Sequence, residues 1–360
     1  MIKRQIFGYL EDGQEVEQYS LINRQGMQLD ILTLGGIVRR WLVPNSSQSE
    51  SIDIVLGFDQ LSDYLTDSSY LGAIVGRYAN RINQGRFSLN GQVFQVDVNQ
   101  GGHCLHGGSD GFNQRVFKAS CGPDEQQPSL ILELTSADGD QGFPGNMTLK
   151  IIYTLTEQNK VKVEYFAQSD KPTVFNPTLH SYFNLAGHDS GSVRDHQVQV
   201  LASQFTPSDE QAIPTGQILP VSNSPFDLQQ LSYVHQALAS PHQQIVYGHG
   251  LDHNWCLDNF EPATHTAKYA AKVVCEQSAL QMKIYTSMPG IQIFSANHFS
   301  DMPGKEGATY QQHQGLCFET QFYPDSPNQP HFPSSTLAAD SEFYAVTEFV
   351  LSNIESAQSQ

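Results

Sequence analysis

Apolar side chains alternate with polar ones through most of the 360 residues, helical periodicity is scarce, and turn residues recur throughout. Together these predict an all-β fold, one large and mainly antiparallel β domain. Side chains on a strand switch faces at every residue, so each alternating run marks a strand with one buried face. Met27, Leu29 and Ile31 form the first run. Phe87 and Leu89 lead into Asn90-Gly91, with Phe94, Val96 and Val98 beyond, a strong hairpin signal. Leu130, Leu132 and Leu134 alternate, and so do Met147, Leu149, Ile151, Tyr153 and Leu155. A short polar turn then leads to Val161, Val163 and Tyr165. Leu280, Met282 and Ile284 precede a Pro289-Gly290 turn, followed by Ile291 and Ile293. Helix is expected only over about Phe226 to Ala239 and in a short piece near Leu61 to Leu65. With no internal repeat and no linker, residues 1–360 read as a single domain whose last residues, Glu355 to Gln360, are expected to fray.

The composition is that of a soluble globular chain: 39% hydrophobic, 10% aromatic and 16% charged, enough apolar material for a sizeable core. The formal net charge of −18 repels phosphate backbones and anionic membranes, so neither nucleic acid nor a membrane is an expected partner. No run approaches the roughly 18 apolar residues of a membrane span, and the start lacks the apolar stretch of a signal peptide. Five scattered cysteines, with no C-x-x-C pair, favour free thiols in a reducing cytoplasm over disulfides or structural zinc.

Four polar clusters interrupt the strand pattern. Gly76-Arg77-Tyr78-Ala79-Asn80-Arg81-Ile82 offers guanidinium and amide donors, suited either to ion pairs with an acidic surface or to vicinal hydroxyls. Asn99 to Gly108 places His103 and His106 among glycine pairs that let backbone approach a ligand closely. It has neither a P-loop lysine nor a G-x-G-x-x-G spacing, and no H-E-x-x-H that would indicate metal. His180, in Leu179 to Gly187, is a hydrogen-bonded core residue unless an acid sits opposite, in which case it is poised to donate a proton near neutral pH. In Gly315 to Asp325, alternation puts Leu316, Phe318, Thr320 and Phe322 on one face and Cys317, Glu319 and Gln321 on the other. Glu319 is then either a desolvated base or a solvent-exposed carboxylate on a sheet face. Asp252, in Gly250 to Trp255, adds an acid beside an aromatic ring.

In this order, the segments resemble the aldose 1-epimerases, or galactose mutarotases, from Gly35-Gly36-Ile37 to Asn328-Gln329-Pro330. The resemblance implies a large antiparallel β-sandwich, a supersandwich. It also implies cofactor-free interconversion of the α and β anomers of a free aldohexose, galactose or glucose, by a monomer or homodimer. By the same resemblance Glu319 is the general base and His180 the general acid. His106 binds and polarises the sugar, and Asn80, Arg81, Asp252 and Gln292 are hydroxyl ligands. Arg77 is structural by expectation. No metal is expected. Leu179 departs from the family, which commonly has Asn there, and strand alternation points it away from the sugar. Two alternatives stay open: a hexose-6-phosphate epimerase on the same fold, which needs extra basic residues, and a non-catalytic carbohydrate-binding protein.

Overall fold

The computed structural model describes residues 1–44, 51–124, 126–262 and 264–354. The segment expected to fray lies outside the described residues. Three antiparallel sheets carry the architecture. A nine-stranded sheet runs in the order Lys118–Cys121, Ser129–Ser136, Met147–Leu155, Lys160–Ser169, Glu342–Asn353, Leu280–Thr286, Lys268–Cys275, Gln197–Val200 and Ser232–Tyr233. A six-stranded sheet runs Tyr182–Phe183, Leu316–Gln321, Gly290–Phe294, Asp252–Cys256, Gln204–Thr206 and Leu219–Pro220. Ile2–Tyr9, Glu15–Ile22, Gln28–Leu32, Val38–Val43 and Ile52–Asp53 form a five-stranded sheet, bridged to the six-stranded one where Val55 pairs with Phe183.

The two smaller sheets pack on the large one, giving the expected sandwich. The core between them is built by alternation: Met147–Leu155 buries Met147, Leu149, Ile151, Tyr153 and Leu155 while their neighbours are less covered. Trp41, Phe183 and Phe349, one ring from each sheet, meet with centroids 5.5–5.9 Å apart. Edge-to-face and tilted pairs at this spacing add to the burial of their large apolar areas. Between the layers the Thr320 and Thr347 hydroxyls lie 2.5 Å apart, so the face of Leu316–Gln321 that carries Thr320 is turned to the large sheet.

The hairpin forms as expected: Leu89 pairs with Gln92, and Asn90 and Gly91 both take positive φ, 51° and 80°. That is the two-residue turn Asn-Gly favours. The Pro289-Gly290 turn does more than reverse the chain, since it carries it from the nine-stranded sheet into the six-stranded one.

One expectation is corrected. Of Phe226 to Ala239 only Val234–Leu238 is helical. The Phe226 carbonyl, which a helix would pair with an amide one turn on, instead accepts the Trp255 indole N–H at 2.9 Å. Its ring stacks on Phe205, and Ser232–Tyr233 pairs as an edge strand with Gln197-Val198. Core packing thus overrides a weak helical pattern. Leu61–Thr66 is helical as expected. Gln243–Gly248 is a further helix, capped by the His242 imidazole, which accepts from the Gln244 amide.

Candidate active site

The polar clusters converge at one end of the six-stranded sheet. Arg81-Ile82 pairs antiparallel with Cys104-Leu105, joining the first two. The pairing sets up a reciprocal contact: the His106 amide donates to the Asn80 carbonyl at 3.0 Å, and the Asn80 amide donates to His106 Nδ1 at 3.1 Å. Gly107, at φ 92°, follows because a Cβ there would collide with the Gly76 carbonyl. The Asn80 side chain accepts from the Arg81 amide, and Arg81 Nη2 donates to Gln100 Oε1 at 2.7 Å.

His180 enters from the opposite wall. Its amide donates to the Ala73 carbonyl, which holds it just after Thr178-Leu179, paired with Ile74-Val75. Its Nε2 lies 3.6 Å from Glu319 Oε1 and its Nδ1 3.6 Å from Cys317 Sγ. Its ring sits edge-on to His106, with centroids 5.1 Å apart. Cys317 and Glu319 occupy the face of Leu316–Gln321 turned away from the large sheet, as their alternation requires.

Asn80, Arg81, His106, His180, Asp252 and Glu319 line one cavity of about 290 Å³. Gln292 does not line it. Gln292 is buried, faces Glu319 across the strand pair, and donates to Asp252 Oδ1 at 2.7 Å, so it holds the residue that does reach the cavity.

Burial sets the proton inventory. Glu319 is only 2% exposed, and this desolvation, reinforced by the negative charge of Asp252, raises its pKa well above the ordinary value. Burial lowers the pKa of His180 to about 4 and that of His106 well below the usual imidazole value. Both shifts favour the neutral forms of the pair, carboxyl and imidazole, over the charged ones.

The family model for aldose 1-epimerase matches residues 17–350. The chain is 37% identical to pig galactose mutarotase over 353 residues, covering 98% of each, and 35% identical to Escherichia coli K12 aldose 1-epimerase, covering 94% of this chain and 96% of that one. The chain belongs to the aldose 1-epimerase family. It is an isomerase. The solved galactose 1-epimerase of Lactobacillus acidophilus NCFM superposes with a TM-score of 0.86 at 25% identity, covering 98% and 99% of the two chains.

In this family member the cavity has walls the sequence did not reveal. Tyr70, Tyr182, Phe294 and Phe299 supply aromatic surface, with the Tyr182 ring 6.0 Å from Phe294 and 5.0 Å from Phe299, and His298 and Gln100 add polar edges. Tyr182 and Gln100 lie inside clusters already singled out; Phe294, Phe299 and His298 lie in a stretch with no motif.

His106, His180 and Glu319 bring one ligand atom each within 4.8 Å of one another, a donor set that invites a metal reading. The tautomer of His106 opposes it. An imidazole that accepts the Asn80 amide at Nδ1 carries its proton on Nε2, so neither nitrogen has a free lone pair. The same tautomer makes Nε2–H a donor for a sugar oxygen.

Arg77 is 2% exposed and makes five hydrogen bonds, to Ser136 Oγ and to the carbonyls of Ser136, Ala137, Pro144 and Gly145, as a structural role requires. His103 accepts the Gln84 amide at Nδ1, and its Nε2 meets Gln211 Oε1. Leu179 is packed in the hydrophobic core and faces away from the cavity.

Proposed function

We propose that the protein interconverts the α and β anomers of a free aldohexose, galactose or glucose, with Glu319 as base and His180 as acid. The observation that carries this reading is the buried His180–Glu319 pair, 3.6 Å apart on the wall of a cavity otherwise lined by hydroxyl-binding groups and aromatic rings. At about 290 Å³ the cavity is at the small end for ligand sites, a scale that suits a monosaccharide.

Glu319 takes the proton from the C1 hydroxyl while protonated His180 gives one to the ring oxygen, and the C1–O5 bond breaks to give the aldehyde. Rotation about C1–C2 presents the other carbonyl face, and closure reverses both transfers. The reactive form, carboxylate with imidazolium, carries one proton, and burial favours its neutral counterpart, Glu–COOH with imidazole, which differs only by transfer of that proton. No net proton is consumed. Each acid or base of this kind supplies about 10²–10⁴-fold.

His106 Nε2–H, Asn80, Arg81 and Asp252 take hydroxyls, and Gln292 acts through Asp252. Such contacts fix the ring while leaving C1 free to present either anomer. Among the described residues Arg81 is the one permanent cation on the cavity wall, faced by Glu319 and Asp252, which favours a neutral sugar over a phosphorylated one. The five cysteines are free thiols, and no described helix is long and apolar enough to cross a membrane; the thiols support a reducing cytoplasm. Action as a monomer or homodimer completes the reading.

Polarimetry on purified Glu319→Gln is the test. The amide keeps the shape and cannot accept the proton, so turnover should fall by about 10²–10⁴-fold with sugar affinity nearly kept. Near-normal turnover would sink the assignment.

A further inference from the structure

A buried polar layer lies beside Glu319, on the face of the six-stranded sheet that it shares. Glu319 pairs in register with Gln292, and Gln292 with Asn254; one step along, Gln321 pairs with Gly290. Residues paired across antiparallel strands present their side chains on the same face. The absence of a side chain at Gly290 leaves that place to its neighbours: a Cβ there would collide with Asn254 Oδ1 and lie 2.9 Å from the Tyr323 ring. Gln321 is fully buried and is not part of the cavity wall.

Five atoms of this layer have no hydrogen-bond partner among the described residues: Glu319 Oε2, Gln292 Oε1, Asn254 Oδ1, and both Oε1 and Nε2 of Gln321. Four are oxygens. Gln292 Nε2 already donates to Asp252 and Asn254 Nδ2 to Thr206 Oγ1, so Gln321 Nε2 is the amide nitrogen of this set with no partner among the described residues. Buried polar groups without partners are costly, and a polar recess offering two to four partners is where proteins bind internal water. A water here can donate to Glu319 Oε2 and to one amide oxygen while accepting from Gln321 Nε2.

We infer that Gln321 is a positioning residue, holding the Oε2 side of Glu319 through a bound water and stabilising the carboxylate that removes the C1 proton. This rests on the reading of Glu319 as base. Glu319 lines the cavity; Gln321, two residues along the same strand and on the same face, does not. Other titratable groups face Glu319: Cys317 on its own strand, Asp252 on the same sheet, Arg81, His106, His180, Tyr70 and Tyr182 across the cavity, and His298 at its edge. None of them is hydrogen-bonded to the Gln321 side chain.

The test is Gln321→Met, nearly isosteric and without donors, compared with the parent by polarimetry across pH. Losing the donor disfavours the carboxylate, so the plateau of kcat should fall about tenfold. The alkaline limb of kcat/KM, where the pair loses its single proton, should move up by about one pH unit, with KM kept. Gln321→Glu, which replaces the donor by an acceptor, should move the limb the same way. A merely structural role would lower the melting temperature and leave the limb where it was. Coincident profiles for an active parent and a folded Gln321→Met overturn this inference alone, whereas a parent without mutarotase activity overturns the reading of Glu319 itself. Should the variant not fold, a high-resolution crystal structure of the parent decides. Ordered water within hydrogen-bond distance of both Glu319 Oε2 and Gln321 Nε2 supports the inference, and its lack refutes it.

Discussion

Two buried acid–base pairs in this protein are built to opposite ends. Lys305 is fully buried, and its ammonium donates to Asp53 Oδ2 at 2.6 Å and to the carbonyls of Arg39 and Val55 at 2.9 and 2.6 Å. Asp53 in turn accepts the Trp41 amide at 3.0 Å. Every donor is used, the three bonds tie the loop after Met302-Pro303 to the five-stranded sheet, and nothing is left to react. His180 and Glu319 are as deeply buried, yet stand 3.6 Å apart, and Glu319 Oε2 has no partner among the described residues. Equal burial therefore gives different chemistry: a satisfied pair holds structure, and an under-satisfied one keeps proton affinity to spend on a ligand.

Breaking the satisfied pair should have the larger effect on stability. Lys305→Met leaves the Arg39 and Val55 carbonyls without their donor and Asp53 with only Arg40, 3.4 Å away, and should cost about 1–3 kcal/mol in denaturant unfolding, while the remaining folded molecules keep near-parental kcat. An unfolding midpoint unchanged from the parent would make the pair ornamental.

Breaking the under-satisfied pair should move stability the other way. The folded-state pKa of Glu319 is raised, so the folded protein keeps a proton that the unfolded chain releases above the ordinary carboxylate range. Stability is therefore lost as pH rises through the folded value. Glu319→Gln has no such ionisation and should melt about 2 °C or more above the parent, with the gap wider at pH 8 than at pH 5. A gap that narrows with pH would contradict the assigned direction. For His180, lowered to about 4, the sign reverses: its contribution weakens as pH falls from the ordinary imidazole value towards 4.

The smallest expected effect is zero. With His106 fixed as an Nε2–H donor, exhaustive chelation should leave the mutarotation rate unchanged, and restoration of a chelated sample by zinc would return the trio to the metal reading.

Much of the site was legible in the sequence because its residues sit in motifs. Asn80, Arg81, His106, His180, Asp252 and Glu319 were named there, and all reach one cavity. Gln292 was named beside them, yet its place is behind Asp252, a distinction of a few ångströms that residue type does not encode. Phe294, Phe299 and His298 carried no signal, since an aromatic wall and an aromatic core look alike in one dimension. The helix expected over Phe226 to Ala239 shrank to Val234–Leu238 because Trp255, remote in sequence, claims the Phe226 carbonyl.

What the chain determined by itself is local. Period-two alternation follows from backbone geometry, so it decided the strands, the hairpin at Asn90-Gly91, and the face of Leu316–Gln321 on which Glu319 stands. Only the tertiary structure decided what meets on that face. It set His180 against Glu319, turned Gln292 to Asp252, and closed the Gln321 layer off from solvent. These meetings depend on how distant strands pack and on which polar atoms burial leaves unpaired, and neither is a property of neighbours in sequence.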